Sequence, residues 1–270
     1  MTTDTSQGSG QPNPSTFFQH DTSWLNGIRF FHHRATHPVS HHISLVDLER
    51  DFSEGMVKNG NRLPERFLSP DELSFYHDIR HPKRKSHWLG GRAALKHALF
   101  HLFTPAGDIR ESDPATLSIL PDSHGRPTLK ATLSPVPAIS ISHSGRYAIA
   151  LAAETPTCGI DIQLESERIF NVCERLLNAK EWKILHNMTT DRGDREKLTK
   201  LWAAKEAVKK GMLSDQPLVF SGITLRGIIP GDPVQMVFTC SNPRHPSALV
   251  QVLSVNDYQL AYTLGGADDA

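Results

Sequence analysis

The chain is poor in most residues and patterns that mark a special class of protein. Only three of its 270 residues are cysteine, Cys158, Cys173 and Cys240. Three is an odd number, and no two sit at metal-ligand spacing. They read as free or buried thiols in a reducing, cytoplasmic compartment rather than as a disulfide framework. Neither sign of charge is in excess, with 29 Lys and Arg against 29 Asp and Glu, so nothing points to a nucleic-acid or membrane-surface partner. No apolar run approaches the ~20 residues that span a bilayer. The opening MTTDTSQGSGQPNPST has neither the basic nor the apolar region of a secretory signal and reads as part of a disordered leader over residues 1–27. Walker A, G-x-G-x-x-G, H-E-x-x-H and G-x-S-x-G are all missing, which removes the usual nucleotide-binding, zinc-protease and serine-hydrolase readings.

Histidine, by contrast, is abundant at 15 residues. FHHRATHPVSHHI alone holds His32, His33, His37, His41 and His42. Pro38 interrupts any helical i, i+4 pairing there, and no Cys or carboxylate completes a ligand set. The segment is therefore expected to be a His-rich loop or edge strand that binds nickel resin adventitiously, not a metal site.

Local patterns place the elements. FLSPDELSFYHDI starts a helix, with Ser69 as N-cap, Pro70 at N1 and Glu72 at N3. KRKSHWLGGRAALKHALFHLF continues as an amphipathic helix, with Trp88, Leu95, Leu99 and Leu102 on one stripe, ending near Thr104. Short β-rich runs follow, with DSHGRP as a turn between two of them. A second helical block holds NVCERLL, then NAKEWKIL capped by Asn178 and Glu181, then DREKLTKLWAAKEAVKKGM with Gly211 at its C-terminal end. Further strand-like runs close the chain. Helices then strands, twice over, suggest an α+β protein of two similar halves, residues 28–153 and 154–264, with a tail at 265–270. Two unrelated subdomains would give the same order.

Several residues could carry chemistry. In CGIDIQLE the alternation puts Ile160, Ile162 and Leu164 on one strand face and Asp161, Gln163 and Glu165 on the other. That polar face is either solvated or a row of oxygen donors for a hard cation. ISISHSG sets Ser142, His143 and Ser144 at a strand end, which suits a phosphate or simply a turn. In LWAAKEAVKK, Lys205 falls inside the apolar arc of its helix, beside a Trp202–Glu206–Lys210 row. It is either a snorkelling lysine or one aimed at an anion.

Together and in order, GRP (125–127), ISISHSGRYAIALAAE, GIDIQ, LLNAKEW and LWAAKEAVKK resemble the marks of the Sfp-type 4′-phosphopantetheinyl transferases. LGGRAALKHAL is similar to the arginine-bearing helix of the enterobactin-synthase and eukaryotic branches. The resemblance covers residues 68–212 well and the last strands loosely. It implies a pseudo-dimer of two α+β halves with the active site in the cleft between them. It also implies transfer of the phosphopantetheine arm of coenzyme A to a serine of an apo acyl, peptidyl or aryl carrier protein, releasing adenosine 3′,5′-bisphosphate. By the same resemblance Asp161 and Glu206 bind Mg²⁺ (or Mn²⁺), and Glu206 or a water beside it takes the serine proton. Lys205 and Lys210 sit on the phosphates. Ser142, His143, Arg92 and Arg126 hold the 3′-phosphate region, and Trp202 is packing. Gln163 replaces the second acid of the family strand, as an uncharged ligand that Glu165 on the same face would compensate. Basic residues Arg175, Lys180 and Lys183 are the expected carrier contacts. A monomer suffices, with neither nucleic acid nor membrane as a partner. The alternative is a non-catalytic homologue that binds coenzyme A or a carrier protein.

Overall fold

The computed structural model describes residues 18–22, 24–25, 28–35, 39–53, 63–104, 113–130, 135–213 and 220–265. Twelve strands run through these residues: β1 Gln19–Asp21, β2 Phe30–Ala35, β3 His41–Asp47, β4 Ser118–Pro121, β5 Pro127–Lys130, β6 Ala138–Ser144, β7 Tyr147–Ala153, β8 Thr157–Leu164, β9 Ile223–Ile229, β10 Val234–Cys240, β11 Ser247–Val255 and β12 Tyr258–Gly265. They form two antiparallel sheets, ordered β1-β2-β3-β7-β6 and β8-β12-β11-β10-β9, with β4-β5 as a separate hairpin. The sheet changes between β7 and β8, at residues 154–156. The helices are α1 Leu48–Asp51, α2 Leu63–Phe67, α3 Pro70–Asp78 and α4 Pro82–Phe103, then α5 Cys173–Leu176, α6 Ala179–His186 and α7 Asp194–Met212.

Period-2 patterning decides the layers. In β7, Ile149 and Leu151 face one way and Ala148, Ala150 and Ala152 the other. The isoleucine face joins Ile43 and Leu45 against Ile160, Ile162, Leu253 and Leu260 of the second sheet. The alanine face leaves room for α4, whose Leu95 and Leu99 pack there. On the far side, Leu198, Leu201 and Val208 of α7 cover Val250, Val252 and Ala261. The molecule is thus four layers, helix–sheet–sheet–helix. Each fully buried Leu or Ile adds about 1.5–3 kcal/mol.

The α+β architecture agrees with the sequence reading; four details depart from it. Gln19–Asp21, inside the stretch read as leader, pairs with β2. Residues 1–17 and 266–270 lie outside the described residues. Helix α4 is not a one-sided amphipath, because every residue from Leu89 to Leu99 is buried. NVCERLL splits into a 3₁₀ turn, Glu167–Val172, followed by α5. The His-rich segment is not an edge strand: His32 and His33 lie on β2 and His41 and His42 on β3, both flanked by other strands of the sheet. Gly211 does lie at the C-terminal end of α7, where an added Cβ would stand 3.1 Å from the Cys158 carbonyl carbon, and one on Gly159 would stand 1.9 Å from the Ala207 oxygen. Glycines here let α7 rest backbone-on-backbone against β8.

The two halves share a repeated device. In the first, Lys96 of α4 pairs with Glu72 at 2.6 Å, and Glu72 also accepts the Ile119 N–H of β4 at 3.1 Å. In the second, Lys205 of α7 pairs with Glu181 at 2.7 Å, and Glu181 accepts the Leu225 N–H of β9 at 2.8 Å. Both glutamates are also the N3 member of a capping box. In both halves the lysine follows its glutamate by 24 residues. The strand orders correspond as well: β3-β7-β6 with the β5-β4 hairpin beside it matches β8-β12-β11 with β10-β9. Two unrelated subdomains would not share a lysine, a capping glutamate and a strand N–H in one arrangement.

Candidate active site

The site lies where edge strand β6 meets β8 and α7. Three serines on one face of β6 bridge the halves. Ser140 Oγ accepts the Ile160 N–H at 3.1 Å, Ser144 Oγ accepts the Leu164 N–H at 3.1 Å, and Ser142 Oγ donates to Asp161 Oδ1 at 2.7 Å. The alternation that aims these serines at β8 sends His143 to the opposite side. Ser142, expected on a phosphate, is instead buried and committed to orienting Asp161.

Helix α7 supplies the rest. Lys210 Nζ donates to Asp161 Oδ1 at 2.7 Å and to the Ile160 carbonyl at 3.0 Å. Glu206 lies one turn earlier, its closest cation Lys209 at 3.7 Å. Burial pushes the Glu206 carboxyl above the usual carboxylate range, and Asp161 adds to this against the pull of Lys209 and Lys210. Both hydrogen bonds to Asp161 fall on Oδ1, and Oδ2 carries none among the described residues. Asp161, with one oxygen held by Ser142 and Lys210, and Glu206, with Lys209 only at 3.7 Å, form a carboxylate set that suits a hard divalent cation. Gln163 stands two residues along the same strand face, its amide nitrogen making only a long contact to the Leu164 carbonyl at 3.4 Å. Glu165 is not available to compensate for it. Its oxygens are taken by Arg192 at 3.0 Å, Arg195 at 3.5 Å and Gln259 at 2.8 Å.

Beside His143 opens a cleft of about 510 Å³, lined by His81, Lys83, Arg84, His87, Arg92 and His143 with the rings of Phe75 and Trp88. Arg92 is fixed for this position. Its Nε donates to the Ile119 carbonyl at 2.9 Å and its guanidinium lies 4.5 Å from the Trp88 ring centre. Burial lowers its pKa to about 10. His87 and His143 stand 4.6 Å apart, and partial burial, with His87 and Lys210 close by, brings the His143 pKa down to about 4. Both rings are therefore neutral near pH 7. Arg126 does not line the cleft. It pairs with Asp122 at 3.0 Å, while its neighbours Gly125 and Pro127 form the wall. Lys83, Arg84 and His87 were missed in the sequence, although HPKRKSH at the start of α4 was a visible basic run.

On the other side of Asp161 lies a smaller pocket of about 350 Å³, mostly apolar, with Gln163, Leu164, Ile169, Val172 and Trp202 in its wall. Trp202 packs edge-on to Phe220 at 5.3 Å. Lys205 is the main correction. It is 1 % exposed, held by Glu181 and by the Leu176 carbonyl at 2.6 Å, and cannot reach a ligand in the cleft without breaking both.

Comparison with known proteins bears on this geometry. The family model described as ACPS, the 4′-phosphopantetheinyl transferase superfamily, matches residues 157–263. A holo-[acyl-carrier-protein] synthase of Acholeplasma laidlawii is 41 % identical over 108 residues, covering 39 % of this chain and 86 % of that protein. The chain belongs to the 4′-phosphopantetheinyl transferase superfamily. A Streptococcus agalactiae holo-[acyl-carrier-protein] synthase is 36 % identical over 114 residues, covering 42 % of this chain and 92 % of its own length. Among solved structures, a holo-(acyl-carrier-protein) synthase from Bacillus anthracis in complex with CoA (3′,5′-ADP) aligns with a TM-score of 0.36 at 25 % identity, over 42 % of this chain and 92 % of that one. The segment matched by the superfamily is the second half. It contains Asp161, Gln163, Lys205, Glu206 and Lys210, whereas Arg92, Arg126, Ser142 and His143 precede it.

Proposed function

We propose that this chain transfers the 4′-phosphopantetheine arm of coenzyme A to a serine of an apo carrier protein, as an Sfp-like member carrying both halves in one polypeptide. The observation that carries this reading is the order of features along β6, β8 and α7. A basic cleft comes first, then a carboxylate pair with a lysine, then an apolar pocket. Coenzyme A has the same order of chemistry, with an anionic nucleotide, a pyrophosphate and a slender, mostly uncharged arm. The shared Lys–Glu–strand device supports the single-chain branch, since relatives of about half this length match only one half.

In this reading Arg92, His87 and His143 hold the 3′-phosphate, and the two imidazoles take up protons beside the dianion. Lys210 stands at the pyrophosphate. Asp161, oriented by Ser142, and Glu206 would hold Mg²⁺, with Gln163 as a neutral donor nearby. A bound Mg²⁺ supplies neutralisation of the charge that builds on the leaving phosphate oxygen. Glu206 accepts the proton of the carrier serine, a task its raised pKa suits. The serine oxygen then bonds to the phosphorus that bears pantetheine as the pyrophosphate P–O bond breaks. Adenosine 3′,5′-bisphosphate leaves with that oxygen, and Lys210 steadies its charge.

The test is intact mass of an apo acyl carrier protein incubated with this protein, coenzyme A and Mg²⁺, with an EDTA control. A gain of one phosphopantetheine that EDTA abolishes is the expected result. Coenzyme A binding without transfer to acyl, peptidyl or aryl carriers would mean a non-catalytic homologue.

A further inference from the structure

A second polar centre lies in the first half, under the sheet face that α4 covers. His32 of β2, His42 of β3 and His101 of α4 place one ring nitrogen each within 4.8 Å of one another. Asp21 of β1 and His97 of α4 form an overlapping set that shares His101. His42 and His97 are fully buried and His101 is 6 % exposed. Among the described residues, both ring nitrogens of His42, Nδ1 of His32 and Nε2 of His101 have no hydrogen-bond partner, and the nearest polar atom to His97 Nε2 that pairs with it is Asp21 Oδ2, at a long 3.6 Å. A buried imidazole left unpaired costs free energy, and buried polar groups are as a rule satisfied. Several orphaned rings converging on one spot call for a shared partner. Each neutral imidazole offers one lone pair, which a cation can use and a second imidazole lone pair cannot.

We propose that His32, His42 and His101 form a zinc site in the first half, separate from the carboxylates of the cleft, with Asp21 and His97 flanking His101. The donor set is nitrogen-rich with a carboxylate beside it, which suits Zn²⁺ and not Mg²⁺. His42 and His101 lie stacked with centres 4.6 Å apart, and His32 lies 4.9 Å from His101. Zinc–nitrogen bonds at tetrahedral angles bring the ligand atoms to about 3.3 Å, so the rings turn inward on binding. The metal would tie β2 and β3 to the C-terminal turns of α4, and Asp21 would extend the tie to β1. The His-rich segment alone did not complete a ligand set. The carboxylate and two of the histidines come from Asp21 and from α4, brought in by the fold.

The experiment is calorimetric titration of the chelator-stripped full chain with ZnCl₂ in excess MgCl₂, alongside melting curves and the visible spectrum of a Co²⁺-loaded sample. The expected result is one tight zinc per chain, a higher melting temperature with Zn²⁺ but not Mg²⁺, and the absorption of four-coordinate Co²⁺. His42→Phe with His101→Phe should weaken binding at least 100-fold, and His32→Gln, the gentler change, at least 10-fold. Asp161→Asn and the exposed His77→Ala with His124→Ala should leave it intact. No saturable binding, or affinity unchanged in His32→Gln and in the double variant, would overturn the site. Loss of binding only with Asp161→Asn would overturn it too, by placing the zinc in the cleft.

Discussion

At the scale of single residues, two buried charges have opposite meanings. Lys205 is matched, because Glu181 and a carbonyl meet its ammonium in place of water. Lys205→Met leaves Glu181 buried and unpaired, and should cost about 3–5 kcal/mol. Urea unfolding should show that loss, while the KM for coenzyme A of the folded fraction stays within about twofold of the parent. A lysine on the phosphates would instead raise that KM with little change in stability. Glu206 is poorly matched. A carboxyl with its pKa raised on folding destabilises the folded state when ionised; the penalty begins to fall as pH drops through the folded pKa and is gone below the unfolded one. Glu206→Gln should therefore abolish transfer yet melt higher than the parent at pH 7–8 without divalent cation. The gap should close on acidification, and Mg²⁺ should raise the melting temperature of the parent only.

At the scale of elements, the site depends on how closely α7 approaches β8. Gly159 faces the Ala207 carbonyl, and Gly211 faces the backbone of Cys158 and Gly159. A methyl at Gly159 cannot be accommodated unless the helix moves away, which separates Glu206 and Lys210 from Asp161. Gly159→Ala should lose about 1–3 kcal/mol and most of the activity, with Gly211→Ala milder on both counts. Melting temperature and kcat measured together check this order. The capping boxes at Ser69 and Asn178 were legible from the sequence because they depend on neighbours three residues apart. The burial of α4 on all sides was not, since it follows from the β4-β5 hairpin and α3 closing over the face away from the sheet.

At the scale of the molecule, the surface proposed for the carrier lies on the second half. Arg175, Lys180 and Lys183 are exposed around α5 and α6, with Trp182 among them at 37 % exposure. Carrier proteins of this kind are acidic, so basic residues beside an exposed ring suit them. Lys180→Glu with Lys183→Glu should raise the KM for the carrier at least tenfold and leave the KM for coenzyme A unchanged. A carrier KM left unchanged by the two reversals would place the docking surface elsewhere. The chain's patterning determined the α+β class, the helix caps and the strand bearing Asp161, because local periodicity and capping act over a few residues. It also singled out Asp161, Glu206, Lys210 and His143. Tertiary structure alone decided that Lys205 braces Glu181, that Ser142 orients Asp161, and that Glu165 is spent on arginines. It also gathered Asp21 and four distant histidines into one buried cluster. Those outcomes depend on which side chains meet across sheets and helices, and a one-residue change in strand face or helix approach would reassign every one of them.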